Sequence, residues 1–191
     1  MLLIAMTASV RTFLHLGTFL LLLAAHADAA ELHEESIAGT YELLICKDSC
    51  PTAGDKDVLI KGRLVLFPTN FQPPELARLE SLGLSPMRGE SPPNGCFGLE
   101  KLEGRKYQGY AGIDKAGLTS WSIQGHELLF ALFRSPDAGY KVTAQRTTSG
   151  FDGSGRSWGA GVAAPQGATV DKVVLRRTRG ADLSQCPRQA D

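Results

Sequence analysis

Beyond residue 30 the chain alternates apolar and polar side chains over short runs, which is the pattern of half-buried β-strands. Residues 140–148 show it best, because Tyr140, Val142 and Ala144 alternate with polar neighbours such as Lys141. Such a strand buries one face and exposes the other to water. Short connectors containing Gly separate most of the runs, as in hairpins. The pattern predicts nine strands, at residues 39–46, 57–67, 96–102, 106–113, 118–123, 127–134, 140–148, 156–164 and 170–178.

One segment between the second and third predicted strands has the pattern of a helix. It opens with Pro73, Pro74 and Glu75, and prolines and an acidic residue are favourable in a first helical turn. Three leucines then follow at intervals of three residues, and Gly83 ends the segment. A helix of about ten residues is too short to be stable alone, so we expect it to pack on the sheet.

Sequential hairpins of this kind predict a mainly β domain. We expect an antiparallel meander that forms a closed or nearly closed barrel of eight to nine strands with one short helix. Closure removes the exposed sheet edges that an apolar sheet tolerates poorly. A β-sandwich is the alternative. The chain shows no internal repeat and no linker, so residues 30–191 are predicted to be one domain.

Residues 1–29 have the composition of a secretory signal peptide. Arg11 is the only charged residue before Asp28, residues 13–25 are almost wholly apolar, and small residues alternate before residue 30. The apolar run is shorter than the roughly 20 residues of a membrane-spanning helix. We therefore expect an exported protein, periplasmic or extracellular, without a membrane anchor after cleavage. Translation could start at Met1 or Met6.

All four cysteines lie beyond residue 30, and an even number in an exported chain predicts two disulfides. We favour Cys46–Cys50, which closes a short turn, and Cys96–Cys186, which ties the C-terminal tail to the middle of the chain. A metal site at the first pair is the alternative, but no histidine lies near it in the sequence. We expect no metal and no cofactor.

The chain carries 20 basic and 20 acidic residues, so its formal net charge is zero. A nucleic-acid-binding protein needs a basic surface, and we therefore expect no nucleic-acid partner. The short basic run at residues 176–179 is interpreted as a solvated strand end.

Residues 155–159 match G-x-S-x-G, the nucleophile elbow of serine hydrolases. Such a site needs a histidine after the serine in the chain, and none follows Ser157. We therefore predict that the protein is not an enzyme. The Gly-rich residues up to Gly155 are interpreted as a hairpin loop. It would lead into a strand with Trp158 facing inwards and a bare face at Gly159 and Gly161, which another segment must cover.

The two ends of the predicted barrel resemble those of calycins, which include lipocalins, fatty-acid-binding proteins and small bacterial barrel inhibitors. Gly39, Thr40 and Tyr41 resemble the Gly-x-Trp opening, with Tyr in the place of Trp, and residues 173–177 resemble the last strand. The resemblance implies that Arg176 or Arg177 packs on the Tyr41 ring at the closed end. The helix between strands two and three departs from the calycin pattern.

Two functions fit this fold. The first is the binding of a small apolar or amphipathic ligand in the barrel, with strand aromatics as the candidate ligand-binding residues. These residues are Tyr41, Trp121, Tyr140 and Trp158. The second is a protein-interaction module, such as a peptidase inhibitor that acts through an extended N-terminal segment, residues 30–36, or a loop. A hollow interior favours the first function, and a filled interior favours the second.

Overall fold

The computed structural model describes residues 32–46, 50, 58–86, 91–100, 115–135, 138–159 and 171–188. The predicted signal peptide, the predicted strand 106–113 and the second half of the predicted strand 156–164 lie outside them. The described elements are α1 Glu34–Ile37, β1 Gly39–Cys46, β2 Val58–Leu66, α2 Pro73–Glu80, β3 Gly95–Glu100, β4 Ala116–Thr119, β5 Trp121–Gln124, β6 Glu127–Ser135, β7 Ala138–Arg146, β8 Gly150–Gly159, β9 Asp171–Arg179 and a 3-10 helix Leu183–Gln185.

The nine described strands form one antiparallel sheet in the order β4-β3-β2-β1-β9-β8-β7-β6-β5. The two edge strands of this order, β4 and β5, are separated in the chain by Ser120 alone. The sheet therefore curls round until its edges meet, and the protein is a nearly closed barrel. The prediction of a mainly β antiparallel meander is confirmed.

The chain bends at Ser120, where the sequence predicted one unbroken strand. The bend carries the backbone from its pairing with β3 to its pairing with β6. At the bend, the side chain of Asn94 pairs with the backbone of Trp121, as a neighbouring strand would. Its Oδ1 accepts a hydrogen bond from the Trp121 backbone N–H at 2.8 Å, and its Nδ2 donates to the Trp121 carbonyl at 3.1 Å. Backbone groups freed by the bend are thereby satisfied, as buried backbone groups must be.

The interior of the barrel is filled by apolar side chains from α1 and from every strand except β4. The largest of those that are fully buried are Tyr41, Tyr140 and Phe97, each at most 1 % exposed. The inward residues of β1 and β7 lie at every second position, Tyr41, Leu43 and Ile45 in β1 and Tyr140, Val142 and Ala144 in β7, as the sequence predicted. Within the described residues, the barrel has a packed core of the usual protein kind.

The segment before β1 is not extended, and that prediction was wrong. It forms α1, and Leu32 and Ile37 on either side of its polar residues enter the barrel core. Arg177 holds it in place, because its Nη1 donates to the Ser36 carbonyl at 3.1 Å and its Nη2 donates to the Ala38 carbonyl at 2.7 Å. The segment thus closes one end of the barrel instead of projecting from it.

Helix α2 confirms the helix predicted from the prolines and leucines. A capping box fixes its start, since the Gln72 backbone N–H donates to the Glu75 carboxylate at 2.7 Å. The helix packs on the outer face of β2 to β4, through a second buried cluster that it shares with the C-terminal tail. The members of this outer cluster are Val65, Phe71, Leu79, Leu84, Cys96, Ala116, Leu118 and Cys186.

Both predicted disulfides are present. Cys46–Cys50 has a Cα–Cα distance of 5.5 Å and Cys96–Cys186 one of 5.6 Å. The second bridge lies within the outer cluster and ties the tail beyond β9 to β3. Two disulfides are compatible with an exported protein.

Removing the long bridge should destabilise the protein more than removing the short one. Cys96–Cys186 spans 90 residues, for which the chain-entropy model gives about 4–5 kcal/mol, against about 2 kcal/mol for the four-residue separation of Cys46–Cys50. We expect Cys96→Ser with Cys186→Ser to lower the free energy of unfolding by roughly twice as much as Cys46→Ser with Cys50→Ser, measured by urea denaturation. Equal losses would contradict this account.

The Gly-rich residues before Ser157 are part of strand β8, so their interpretation as a hairpin loop was wrong. Glycine is needed at position 155 because the ring of Tyr140 lies against it: a Cβ on Gly155 would stand 2.2 Å from Cε1 of that ring. At the far end of this ring, the Tyr140 hydroxyl donates a hydrogen bond to Asp171 Oδ2, on β9, at 2.9 Å. Tyr140 therefore covers this face of β8 at Gly155. Of the two glycines predicted to form the bare face, Gly159 ends β8 and Gly161 lies outside the described residues.

Trp158 faces outwards, which corrects the second prediction for this strand. Ser157 stands opposite the buried Tyr140, so its neighbour Trp158 must point to the other face of the sheet. The indole packs edge-on against Phe133, with ring centroids 5.5 Å apart, and Lys141 Nζ lies 5.2 Å from its centre. The Gly-bearing face is thus the inner one.

A methyl group at Gly155 should destabilise the fold. Gly155→Ala must displace the Tyr140 ring, and we expect a loss of about 1–3 kcal/mol in the free energy of unfolding, as for other overpacked sites. Gly180→Ala is the matched control, because no atom lies within 4 Å of its added Cβ, and it should be close to neutral. Urea denaturation of both variants measures the difference; a neutral Gly155→Ala would contradict the contact.

Candidate functional site

Three of the four candidate ligand-binding aromatics, Tyr41, Trp121 and Tyr140, have polar groups that are already engaged within the protein. The Tyr41 hydroxyl donates to the Ile37 carbonyl. The indole N–H of Trp121 donates to the carbonyls of Phe67, at 2.9 Å, and Asn94, at 3.1 Å. The side chains of Tyr41 and Trp121 belong to the barrel core and are at most 6 % exposed. They anchor the ends of strands and loops.

Tyr140 and Trp158 lie apart from each other. Tyr140 is buried in the core, with its hydroxyl on Asp171, whereas Trp158 lies on the outer face. The structure therefore places three of the four residues in the packed core and does not bring the fourth to them. Ligand binding by these residues stays a prediction.

The closed end of the barrel distinguishes between the two candidate arginines. Arg177 stands opposite Tyr41 in the β1–β9 ladder and reaches α1. Arg176 points to the outer face, where its Nη1 lies 3.7 Å from a carboxylate oxygen of Glu42. The calycin resemblance implies an arginine beside the opening aromatic residue, and Arg177 occupies that position.

Burial raises the pKa of Tyr41 above its ordinary value, and the nearby positive charges of Arg177 and Arg146 oppose the rise only in part. A hydroxyl that donates to a carbonyl inside the protein is most stable in its neutral form. The closed end is therefore an apolar site next to concentrated positive charge.

A groove crosses the outer face of the barrel over β5 to β8, and its volume is about 850 Å³. Its floor has two cross-strand rows. Leu129, Thr143 and Ser154 form one, and Ala131, Lys141 and Arg156 form the other. We call this surface the outer groove; its lining also includes Asn70, Ser91, Pro92, Ser120 and Ser122.

The outer groove combines positive charge with partly buried apolar side chains. Lys141 and Arg156 are exposed, and neither forms an ion pair with a carboxylate of the described residues. No described residue that lines the groove is acidic. Leu129 and Ala131 are half-buried on its floor, and the Ser120 hydroxyl donates to the Ser91 carbonyl at 2.9 Å, which fastens the loop beside it.

One feature of the sequence indicates this apolar surface, although it is not part of the alternation that predicts the strands. Every residue from Leu128 to Phe133 is apolar, so β6 has an apolar outer face as well as an apolar inner one. Asn94 is the other position that the pattern missed, since its role depends on a bend that periodicity does not predict.

Ser157 lies within an antiparallel strand, opposite Tyr140, and not at a strand-to-helix turn as a nucleophile elbow requires. The described residues contain no group of three or more His, Cys, Asp or Glu side chains arranged to hold a metal ion. No helix in the described ranges is long and apolar enough to cross a membrane.

Searches with this chain gave no match to a protein-family model, a curated protein or a solved structure.

Alkaline pH should destabilise the protein partly through Tyr41. Its pKa is raised in the folded state, so its stabilising contribution is complete below pH about 10, the unfolded value, and is lost as pH rises through the folded value. We expect the free energy of unfolding of Tyr41→Phe to fall less steeply above pH 10 than that of the unmodified protein. Urea denaturation between about pH 9 and 11 measures both slopes, and identical slopes would contradict this role.

Proposed function

We propose that this protein is an exported, non-catalytic barrel that binds a protein partner on its outer surface, through the outer groove. The observation that carries the proposal is the filled interior. Three of the four candidates for a cavity lining, Tyr41, Trp121 and Tyr140, are packed among other core residues. A small ligand inside the barrel would have to displace them, whereas the outer groove is open to a partner.

The chemistry of the groove favours an extended, acidic segment of the partner. Lys141 and Arg156 offer two positive charges that a carboxylate could neutralise, and charged surfaces of opposite sign steer association. Leu129 and Trp158 offer apolar contact beside them. Tryptophan and arginine are the side chains that most often dominate the energy of protein interfaces.

The N-terminal segment does not support inhibition by insertion into a partner. Leu32 and Ile37 are buried in the core, and Arg177 ties the segment between them to β9. Freeing this segment would expose both side chains and open the closed end. The proposed partner therefore binds on the surface of the sheet and its adjoining loops.

Selection of displayed peptides against the full-length protein tests the proposal. We expect the selected peptides to carry Asp or Glu next to an aromatic or aliphatic residue. Their affinity should fall about tenfold or more on Lys141→Glu with Arg156→Glu, since each lost charge-assisted contact is worth about a factor of ten. Arg63→Glu with Lys115→Glu is the matched control, because both residues are exposed and lie outside the groove.

Two results would contradict the proposal. One is a set of selected peptides without acidic residues, or with equal affinity for the groove variant and the control. The other is a stoichiometric small molecule retained by the native protein in mass spectrometry and released on unfolding, which would support an internal ligand instead.

A further inference from the structure

A second pocket lies at the closed end of the barrel, between the β7–β8 turn, the end of β9 and α1. Its volume is about 790 Å³, within the range of small-molecule sites. Arg146, Arg177 and Arg179 line it, and no described lining residue is acidic. We call this site the arginine pocket. No described residue lines both it and the outer groove.

The three guanidinium groups are only partly used within the protein. The two Nη atoms of Arg177 donate to the carbonyls of Ser36 and Ala38, and Arg146 Nη1 donates to the Ser36 hydroxyl at 3.3 Å. None of the three forms an ion pair with a carboxylate of the described residues. Each guanidinium has five N–H donors, so most of them remain available for acceptors in the pocket.

Asp182 lies outside the pocket and interacts electrostatically with one of its arginines, Arg179. Its hydrogen bonds with Ser184 are the main reason that its pKa is lowered, and the more distant charges of Arg78 and Arg179 add to the effect. Because its oxygens already accept from the Ser184 N–H and hydroxyl, at 2.8 and 2.7 Å, it does not neutralise Arg179 at close range.

The hydroxyl of Thr147 lies beside the pocket but is not open to it. Its Oγ1 is buried and has no hydrogen-bond partner among the described residues, and Thr147 lines the pocket. Buried polar atoms almost always have a partner in folded proteins. Thr147 begins the tight β7–β8 turn, where its backbone N–H donates to the Gly150 carbonyl at 2.9 Å, so its position is fixed.

We infer that the arginine pocket binds a small, multiply charged oxyanion, with a phosphate group or several carboxylates, that accepts hydrogen bonds from the guanidinium groups. Planar guanidinium groups match the oxygen pairs of phosphate and carboxylate in geometry as well as charge. The ring of Tyr41 lines the pocket as well. Arg146 and Arg177 both favour negative charge at its buried hydroxyl, which indicates a positive potential in this region.

Calorimetric titration of the full-length protein tests this at constant ionic strength, with inorganic phosphate, citrate and acetate as probes. We expect saturable one-site binding of phosphate or citrate and much weaker binding of acetate. Arg146→Gln with Arg179→Gln should weaken binding about tenfold or more. Arg177 is left unchanged because it holds α1. Arg63→Gln with Lys115→Gln removes the same charge elsewhere and should leave binding unchanged within about a factor of two, since screening at constant ionic strength is the same.

Thr147→Val is a control for the shape of the pocket. The isosteric change removes a buried hydroxyl without a partner, so the ligand-free protein should be at least as stable as before, and anion affinity should stay within about a factor of two because that hydroxyl does not reach the ligand. Unchanged affinity in the arginine variant, an equal loss in the charge control, or no saturable binding of phosphate and citrate would overturn the inference. These outcomes do not depend on the outer groove.

Discussion

The backbone groups at the two edges of the sheet need hydrogen-bond partners, and the bend at Ser120 lets one chain segment serve both edges. The cost of the bend is a break in the ladder, which the side chain of Asn94 repairs at the backbone of Trp121. Closure then fixes the size of the interior, and large side chains fill it. The rest of the structure depends on this closed, filled barrel, because binding surfaces can then form only outside the core.

Local pattern was enough to predict most of the fold. β1 begins and ends at the predicted residues, Gly39 and Cys46, and α2 begins at its prolines. The disulfides follow from the number of cysteines and the length of the tail. These features depend on a few neighbouring residues or on simple chain connectivity, and a single sequence contains that information.

The strand β8 shows what local pattern could not predict. Glycines are common in turns, and only the position of the Tyr140 ring on the neighbouring strand explains why Gly155 lies inside a strand. The same cross-strand register decides which face Trp158 occupies, and a shift of one residue reverses that choice. The outer groove and the arginine pocket were missed for a related reason. Each combines residues from several strands and loops, which only the register brings together.

The net charge of the chain does not predict the charge of its local surfaces either. The chain is neutral as a whole, but most of the ion pairs among the described residues involve Glu42 or Asp152, on the outer face of β1 and β8. Those carboxylates pair with Lys61, Arg176 and Lys172. Lys141 and Arg156 remain without such partners among the described residues, and the same holds for the arginines beside α1. Balanced composition therefore coexists with two separate positive surfaces.

The rigidity of the barrel makes these surfaces suitable for binding. The floor of the outer groove consists of paired strands over a packed core, and Arg177 and the Tyr41 hydroxyl fix α1 beside the arginine pocket. A preformed surface loses little conformational entropy when a partner binds, so weak individual contacts can give measurable affinity. A hollow barrel would have placed its specificity inside. Because the described interior is filled, the binding that we propose uses outward positions, where sequence alternation predicts only contact with water.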